Sequence, residues 1–356
     1  MVSKTNNTLH MDNDFCLKLG EHKDDSNDPI EFTTKFLPTM TEENRIELFN
    51  ILCSVYDKRF TPPGYNDTMS WAAKAYTEQI LFDKYAKVAR IYTDSKEPNI
   101  IIQRLVTERE PVNIGMRRFF DESVMNKIFG YNVSYYKRYH NKTNNIAPNI
   151  GVYTLAPVQY KDTAIPIDVH FYHAIGYAFD TQGQPDYKVL LNADPCILIQ
   201  KYINLFTCSF ECAKQLGLTR VIMPIIGGGS FSVLYKDGRD KFQTDIYIPA
   251  LIHVIKNYPD IIVGYTTCDK NCPAALYLKK YKYVYVGKFP VLLNNEWFDK
   301  KTTLVVNAWD CHSILGNGNK GDNSMDGWVG RFSAVQFFGL GLTNPHILNN
   351  IFRIQC

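Results

Sequence analysis

Arg220-Val221-Ile222-Met223-Pro224-Ile225-Ile226-Gly227-Gly228-Gly229-Ser230-Phe231 is a short apolar run that ends in three successive glycines. A run of this length, rich in β-branched residues and bounded by glycine, reads as a buried strand rather than a helix. The glycines admit positive φ and let backbone N–H groups converge on an anion without side-chain interference. A diphosphate is the natural guest, and a flexible strand-to-helix turn is the plain alternative. No Gly-Lys-Ser/Thr follows, which disfavours a Walker-type nucleotide site. Upstream, Asp194-Pro195 opens a helix with Ile199, Tyr202, Ile203, Phe206, Phe210 and Ala213 on one face, closed by Gly217. Downstream come a helix over about 244–257, the strand Ile261–Tyr265 and a helix after Asn271-Cys272-Pro273. Two strands precede all of this, Val152–Leu155 and Val169–Ile175, and a third, Thr303–Asn307, follows. Strands alternating with helices predict an α/β layered sheet, whose ligands bind beyond the carboxyl ends of strands.

Further out the pattern changes. Residues 1–40 are polar and read as a flexible arm, centred on Asp24-Asp25-Ser26-Asn27-Asp28-Pro29. Residues 41–145 read as mainly helical. Thr41 is a candidate N-cap before Ile46, Phe49, Leu52, Cys53 and Tyr56. A second helix is predicted from near Ser70 through Tyr76, Ile80, Tyr85, Val88 and Tyr92, and a shorter one over Asp121–Phe129. The α/β domain then occupies 146–356.

Composition limits the function classes. The 356 residues carry a net charge of +3 with 45% hydrophobic residues, which fits a globular chain and gives no nucleic-acid footprint. No apolar run approaches the length of a membrane span. Nine cysteines without a secretory leader predict reduced thiols and a cytoplasmic setting, or a host cytosol for a delivered effector. The 21 Phe and 23 Tyr suggest aromatic-lined surfaces or a heavy core without separating the two.

The second glycine-rich stretch follows the Thr303 strand: Asn307-Ala308-Trp309-Asp310, then Gly316-Asn317-Gly318, and a final helix from about Asp326. Asp310, Asp322 and Asp326 lie close together in sequence, and a helical turn would put the last two on one side. Neighbouring carboxylates repel, which raises one pKa and can separate acid from base. Taken singly, Asp322 or Asp326 could equally cap the last helix.

These loops, with His173-Ala174-Ile175-Gly176-Tyr177, resemble the macrodomain family of ADP-ribose binders and hydrolases. Asn307-Ala308-Trp309-Asp310 resembles the family's Asn-Ala-Ala-Asn strand end, and Gly316 through Gly327 its glycine-rich loop. Met223 to Phe231 resembles its diphosphate loop. The resemblance covers roughly 150–340 in rotated order, since the Asn-Ala segment comes last rather than first. It implies a circularly permuted, three-layer α/β/α mixed sheet behind an N-terminal helical extension. Asp310 stands where the family has its second Asn, and Asn317 and Asn319 interrupt a glycine run. The aspartates look most like those of effector-type members that remove ADP-ribose from arginine.

The implied activity is hydrolysis of the N-glycosidic bond of ADP-ribosylated arginine. Asp326 is expected to act on water or ribose, with Asp310 and Asp322 on the ribose and arginine side. Gly227, Gly228, Gly229, Ser230 and Phe231 would hold the diphosphate, and Asn307, Gly316, Asn317 and Gly318 would shape the ribose pocket. The expected partners are ADP-ribose and ADP-ribosylated proteins, with no metal, cofactor, nucleic acid or membrane. The alternatives are a non-catalytic ADP-ribose reader and an interaction scaffold using 41–145. His173 reads as a satisfied core histidine, Cys208 and Cys212 as buried helical thiols, and Asp269 as a cap before Pro273. Cys311-His312 lacks an orienting third group and makes a poor nucleophile–base pair. Phe231, Trp309 and Trp328 suit a pocket wall or the core equally.

Overall fold

The computed structural model describes residues 88–94, 149–158, 167–182, 185–236, 238–267, 269–281, 284–285, 298–309 and 351–354. The strands are β1 (Arg90–Thr93), β2 (Ile150–Val158), β3 (Ile167–Ile175), β4 (Arg220–Pro224), β5 (Ile262–Thr266), β6 (Val284–Tyr285), β7 (Thr303–Trp309) and β8 (Ile351–Arg353). The helices are α1 (Pro185–Leu190), α2 (Pro195–Gln215), α3 (Arg239–Phe242), α4 (Ile248–Asn257) and α5 (Pro273–Leu278). The expected helices from Thr41 through Tyr56, from Ser70 to residue 87, at Asp121–Phe129 and from Asp326, and the arm at 1–40, lie outside the described residues.

All eight strands form one mixed sheet in the order β6-β5-β4-β7-β3-β2-β1-β8. The neighbours β6, β5, β4, β7 and β3 are mutually parallel. β2 runs antiparallel to both β3 and β1, and β8 is parallel to β1. The chain is therefore an α/β protein whose parallel strands end on one edge.

α2 forms where the sequence predicts it, and its ends show why. Asp194 Oδ1 accepts from the Cys196 N–H at 2.9 Å, and Pro195 starts the first turn. Gly217 takes φ +68° after the last turn, while Leu218 N–H bonds back to Ala213 O. The helix lies on β1, β2, β3, β4 and β7 and packs against α4. Its Tyr202, Phe206 and Phe210 all enter the core. Tyr202 meets Phe242 at 5.4 Å and 72°, and Phe206 meets Tyr247 at 5.1 Å and 79°. Such edge-to-face pairs bring the positive ring edge onto the negative face. Seven described tyrosines besides Tyr177 are essentially fully buried, so much of the aromatic surplus is core.

The central strands are buried on both faces. Tyr172, Val221 and Val306 join the core beneath α2, while Phe171, Ile222 and Val305, one step along, are equally inaccessible.

Two local expectations need correction, and a third gains detail. Val88 and Tyr92 are not helical: Val88 lies in a turn, and Arg90–Thr93 is a strand paired with β2 and β8. Ile91 and Tyr92, adjacent in sequence, are both wholly buried, which a strand between two covered faces permits. The helix expected over 244–257 is present, and its first turn, Gln243–Tyr247, is a wide π-turn that joins α3 to α4 without a break. Pro249 has no N–H to give the preceding turn, and that turn widens there. Asp269 does not cap α5. Cys272 is the N-cap, its Sγ accepting from Ala275 N at 3.5 Å, while Asp269 Oδ1 accepts from Asn271 N and shapes the turn before it.

Candidate functional site at the carboxyl edge of the sheet

β4, β7 and β3 are neighbours, and their carboxyl ends carry the three quoted motifs. The β3/β7 register pairs His173 with Asn307, Ala174 with Ala308 and Ile175 with Trp309. The β4/β7 register pairs Ile222 with Val305, so Gly227 follows β4 at the same edge. Strand order thus collects segments up to 134 residues apart in sequence.

The loops after β3 and β4 are bound to each other. A methyl on Gly176 would stand 3.1 Å from the Cα and N of Gly227. Phe179 N–H donates to Phe231 O at 2.6 Å, and Leu234 N–H donates to Phe179 O at 2.9 Å. Ala178 N–H donates to the buried Asp186 carboxylate at 2.9 Å. Gly227 sits at φ +71°, and a Cβ there would enter the space of the Tyr202 hydroxyl. That hydroxyl also accepts from the Tyr177 N–H at 3.5 Å. Successive backbone groups of 177–179 are therefore held from three sides. The N–H groups of Tyr177, Ala178 and Phe179 thus all meet acceptors within the protein, which fixes the loop after β3 against the loop after β4.

Within the glycine loop the residues divide. Gly228 is buried, Gly227 and Phe231 are half-buried, and Gly229 and Ser230 are exposed. The accessible lip of the loop is Gly229-Ser230, with open space where a Gly229 side chain would stand. Asn307 lies below the surface: it is fully buried, and its Nδ2 donates to His173 Nδ1 at 3.1 Å. Trp309 is buried as well. Asp310, Gly316, Asn317, Gly318, Asp322 and Asp326 lie outside the described residues, as do Cys311, His312 and Trp328.

His173 is the core histidine that the sequence suggests. Its Nδ1 accepts from Asn307, so the Nε2–H is left to donate to Thr154 Oγ1 at 3.0 Å. Burial away from charge pushes its pKa down from 6.5 to about 3. The folded state thus resists protonation that the unfolded chain accepts. The contribution of His173 to stability is complete above about pH 6.5 and is lost progressively as pH falls toward about 3. Between pH 7.5 and pH 5 the loss is expected to be about 2 kcal/mol. Denaturant titrations at both pH values check this, and His173→Gln should flatten the slope between them. An unchanged slope would refute the assignment.

Cys208 and Cys212 are buried in α2, where Cys212 lies close to Tyr92 and burial raises its thiol pKa. Such thiols are inert as nucleophiles. Among the described residues, no group of three His, Cys, Asp or Glu side chains could hold a metal ion. Among them, too, no helix is long and apolar enough to cross a membrane. Sequence reading missed Tyr177 and Asp186 as site-building residues, and it read Tyr202 only as one position on an apolar helix face. Their role depends on which loops meet, and no spacing within one segment reveals that. No protein-family model matches the chain, and no curated protein is similar to it.

Proposed function

We propose that this edge binds ADP-ribose and that the chain hydrolyses the N-glycosidic bond joining ADP-ribose to arginine. The reading includes a circularly permuted macrodomain arrangement of the sheet. The observation that carries it is the adjacency of β3, β7 and β4, which sets Gly176, Asn307 and Gly227 at one edge. The exposed Gly229-Ser230 lip would take the diphosphate on backbone N–H groups, which explains how a chain of net charge +3 can bind an anion. The adjoining Asn307 strand leads into the segment bearing Asp310, Asp322 and Asp326. Cleavage passes through an oxocarbenium-like state, which carboxylates beside the ribose stabilise electrostatically. One acid would activate water while a second holds or protonates the departing guanidine.

The deciding experiment incubates the chain with proteins ADP-ribosylated separately on arginine, glutamate or serine and measures free ADP-ribose. Release from arginine is the expected result. Tight binding of ADP-ribose without release from any linkage would make the chain a reader instead. Absence of binding would overturn both and favour a scaffold.

A further inference from the structure

We infer that a buried hydrogen-bonded chain, Asp94–Asn149–Tyr177, sets the position of the glycine loop, which makes these three positioning residues for its ligand. β1 ends and β2 begins at the same edge as the loop, since Thr93 pairs with Ile150. Just beyond that pair, Asp94 Oδ1 accepts from Asn149 N at 2.8 Å, and its Oδ2 accepts from Asn149 Nδ2 at 2.9 Å. Asn204 of α2 gives Oδ2 a further donor at 3.1 Å, and Lys201 Nζ stands 3.9 Å away. The Asp94 side chain is only 6% exposed. Asn149, 1% exposed, is therefore clamped in one orientation, with its Oδ1 turned to accept from the Tyr177 hydroxyl at 2.8 Å.

Tyr177 transmits that constraint. Its ring meets Tyr202 edge-on at 5.6 Å, and its backbone lies against Gly227. A phenylalanine would fill the same space, so packing alone does not call for the hydroxyl. What the hydroxyl adds is a fixed direction. Buried networks that are satisfied throughout rigidify their surroundings, because every alternative leaves a donor or acceptor unpaired. The β1–β2 end is thereby tied to the glycine loop through the side chains of Asp94, Asn149 and Tyr177.

That the ligand is ADP-ribose rests on the proposed function; the positioning itself does not. The test compares Tyr177→Phe and Asp94→Asn with the full chain. It reads amide exchange at residues 227–231 without ligand, ADP-ribose affinity by calorimetry, and Tm. Tyr258→Phe is the control, since it loses a phenol–carboxylate bond to Glu211 near the end of α2. Exchange in the loop is expected to rise, and affinity to fall, by about 3- to 10-fold in both variants. Tm should drop no further in Tyr177→Phe than in the control. Wild-type exchange in Tyr177→Phe, or equal loosening of the loop in Tyr258→Phe, would overturn the inference. If the wild-type chain binds no ADP-ribose, the proposed ligand fails, and the exchange rates still decide the positioning role.

Discussion

Gly227→Ala is expected to abolish ADP-ribose binding and to destabilise the fold by about 2–5 kcal/mol, the sum of a left-handed backbone and an overfilled site. The residue holds φ +71°, and its added methyl would enter the space of the Tyr202 hydroxyl and stand 3.3 Å from Tyr177 O. Neither neighbour can retreat cheaply. Tyr202 is fully buried and wedged against Phe242 and Phe206, and Tyr177 is pinned through Asn149. The loop itself must therefore move, and its alignment with the segment after β3 goes with it. Gly229→Ala supplies the contrast. That residue has φ −94° and nothing within 4 Å of a new Cβ. Its stability should fall less than that of Gly227→Ala, while a ligand lying on the lip would meet the methyl and bind more weakly. Thermal unfolding and calorimetry on the two variants give the result. Equal destabilisation by both would refute the geometry drawn for the loop.

Removal of the carboxylates is the other large effect. Among Asp310→Ala, Asp322→Ala and Asp326→Ala, loss of the residue acting as general acid or base should lower ADP-ribose release from arginine by about 10²–10⁴-fold. Asp326 is the first choice for water activation. ADP-ribose affinity should fall far less, because the diphosphate would be carried by the glycine loop, which none of these substitutions alters. The separation of turnover from affinity is the diagnostic feature. If all three variants release ADP-ribose at the wild-type rate, the carboxylate mechanism is wrong.

The parts of the fold legible in sequence are those with strong local signals. Asp194-Pro195 and Gly217 bracket α2 because a side-chain acceptor, a missing N–H and a positive φ are properties of single residues. β4 and β7 are legible because a buried parallel strand is apolar on both faces. β1 was not legible. Val88 and Tyr92 fit helical spacing in continuation of Tyr85, and only the two strands beside Arg90–Thr93 make a strand the better state. Cys272 likewise took the capping role from Asp269, because the turn geometry left the carboxylate bonded to Asn271.

By itself, the sequence determined that strands alternate with helices, that the glycine run follows a buried strand, and that His173 belongs to the core. Each follows from residues within a few positions of one another, where periodicity, glycine and proline act directly on the backbone. Only the tertiary structure decided that β7 inserts between β3 and β4, so that His173 meets Asn307 and Gly176 meets Gly227. It also decided that Tyr202 stands against Gly227 and that hydrogen bonds join Asp94, Asn149 and Tyr177. The physical reason is that strand order and loop contact arise from nonlocal hydrogen bonding and shared burial, whose partners lie up to 134 residues apart. The apolar run at 221–226 announces a glycine turn after a strand, and its neighbours in space set that turn against the loop after β3.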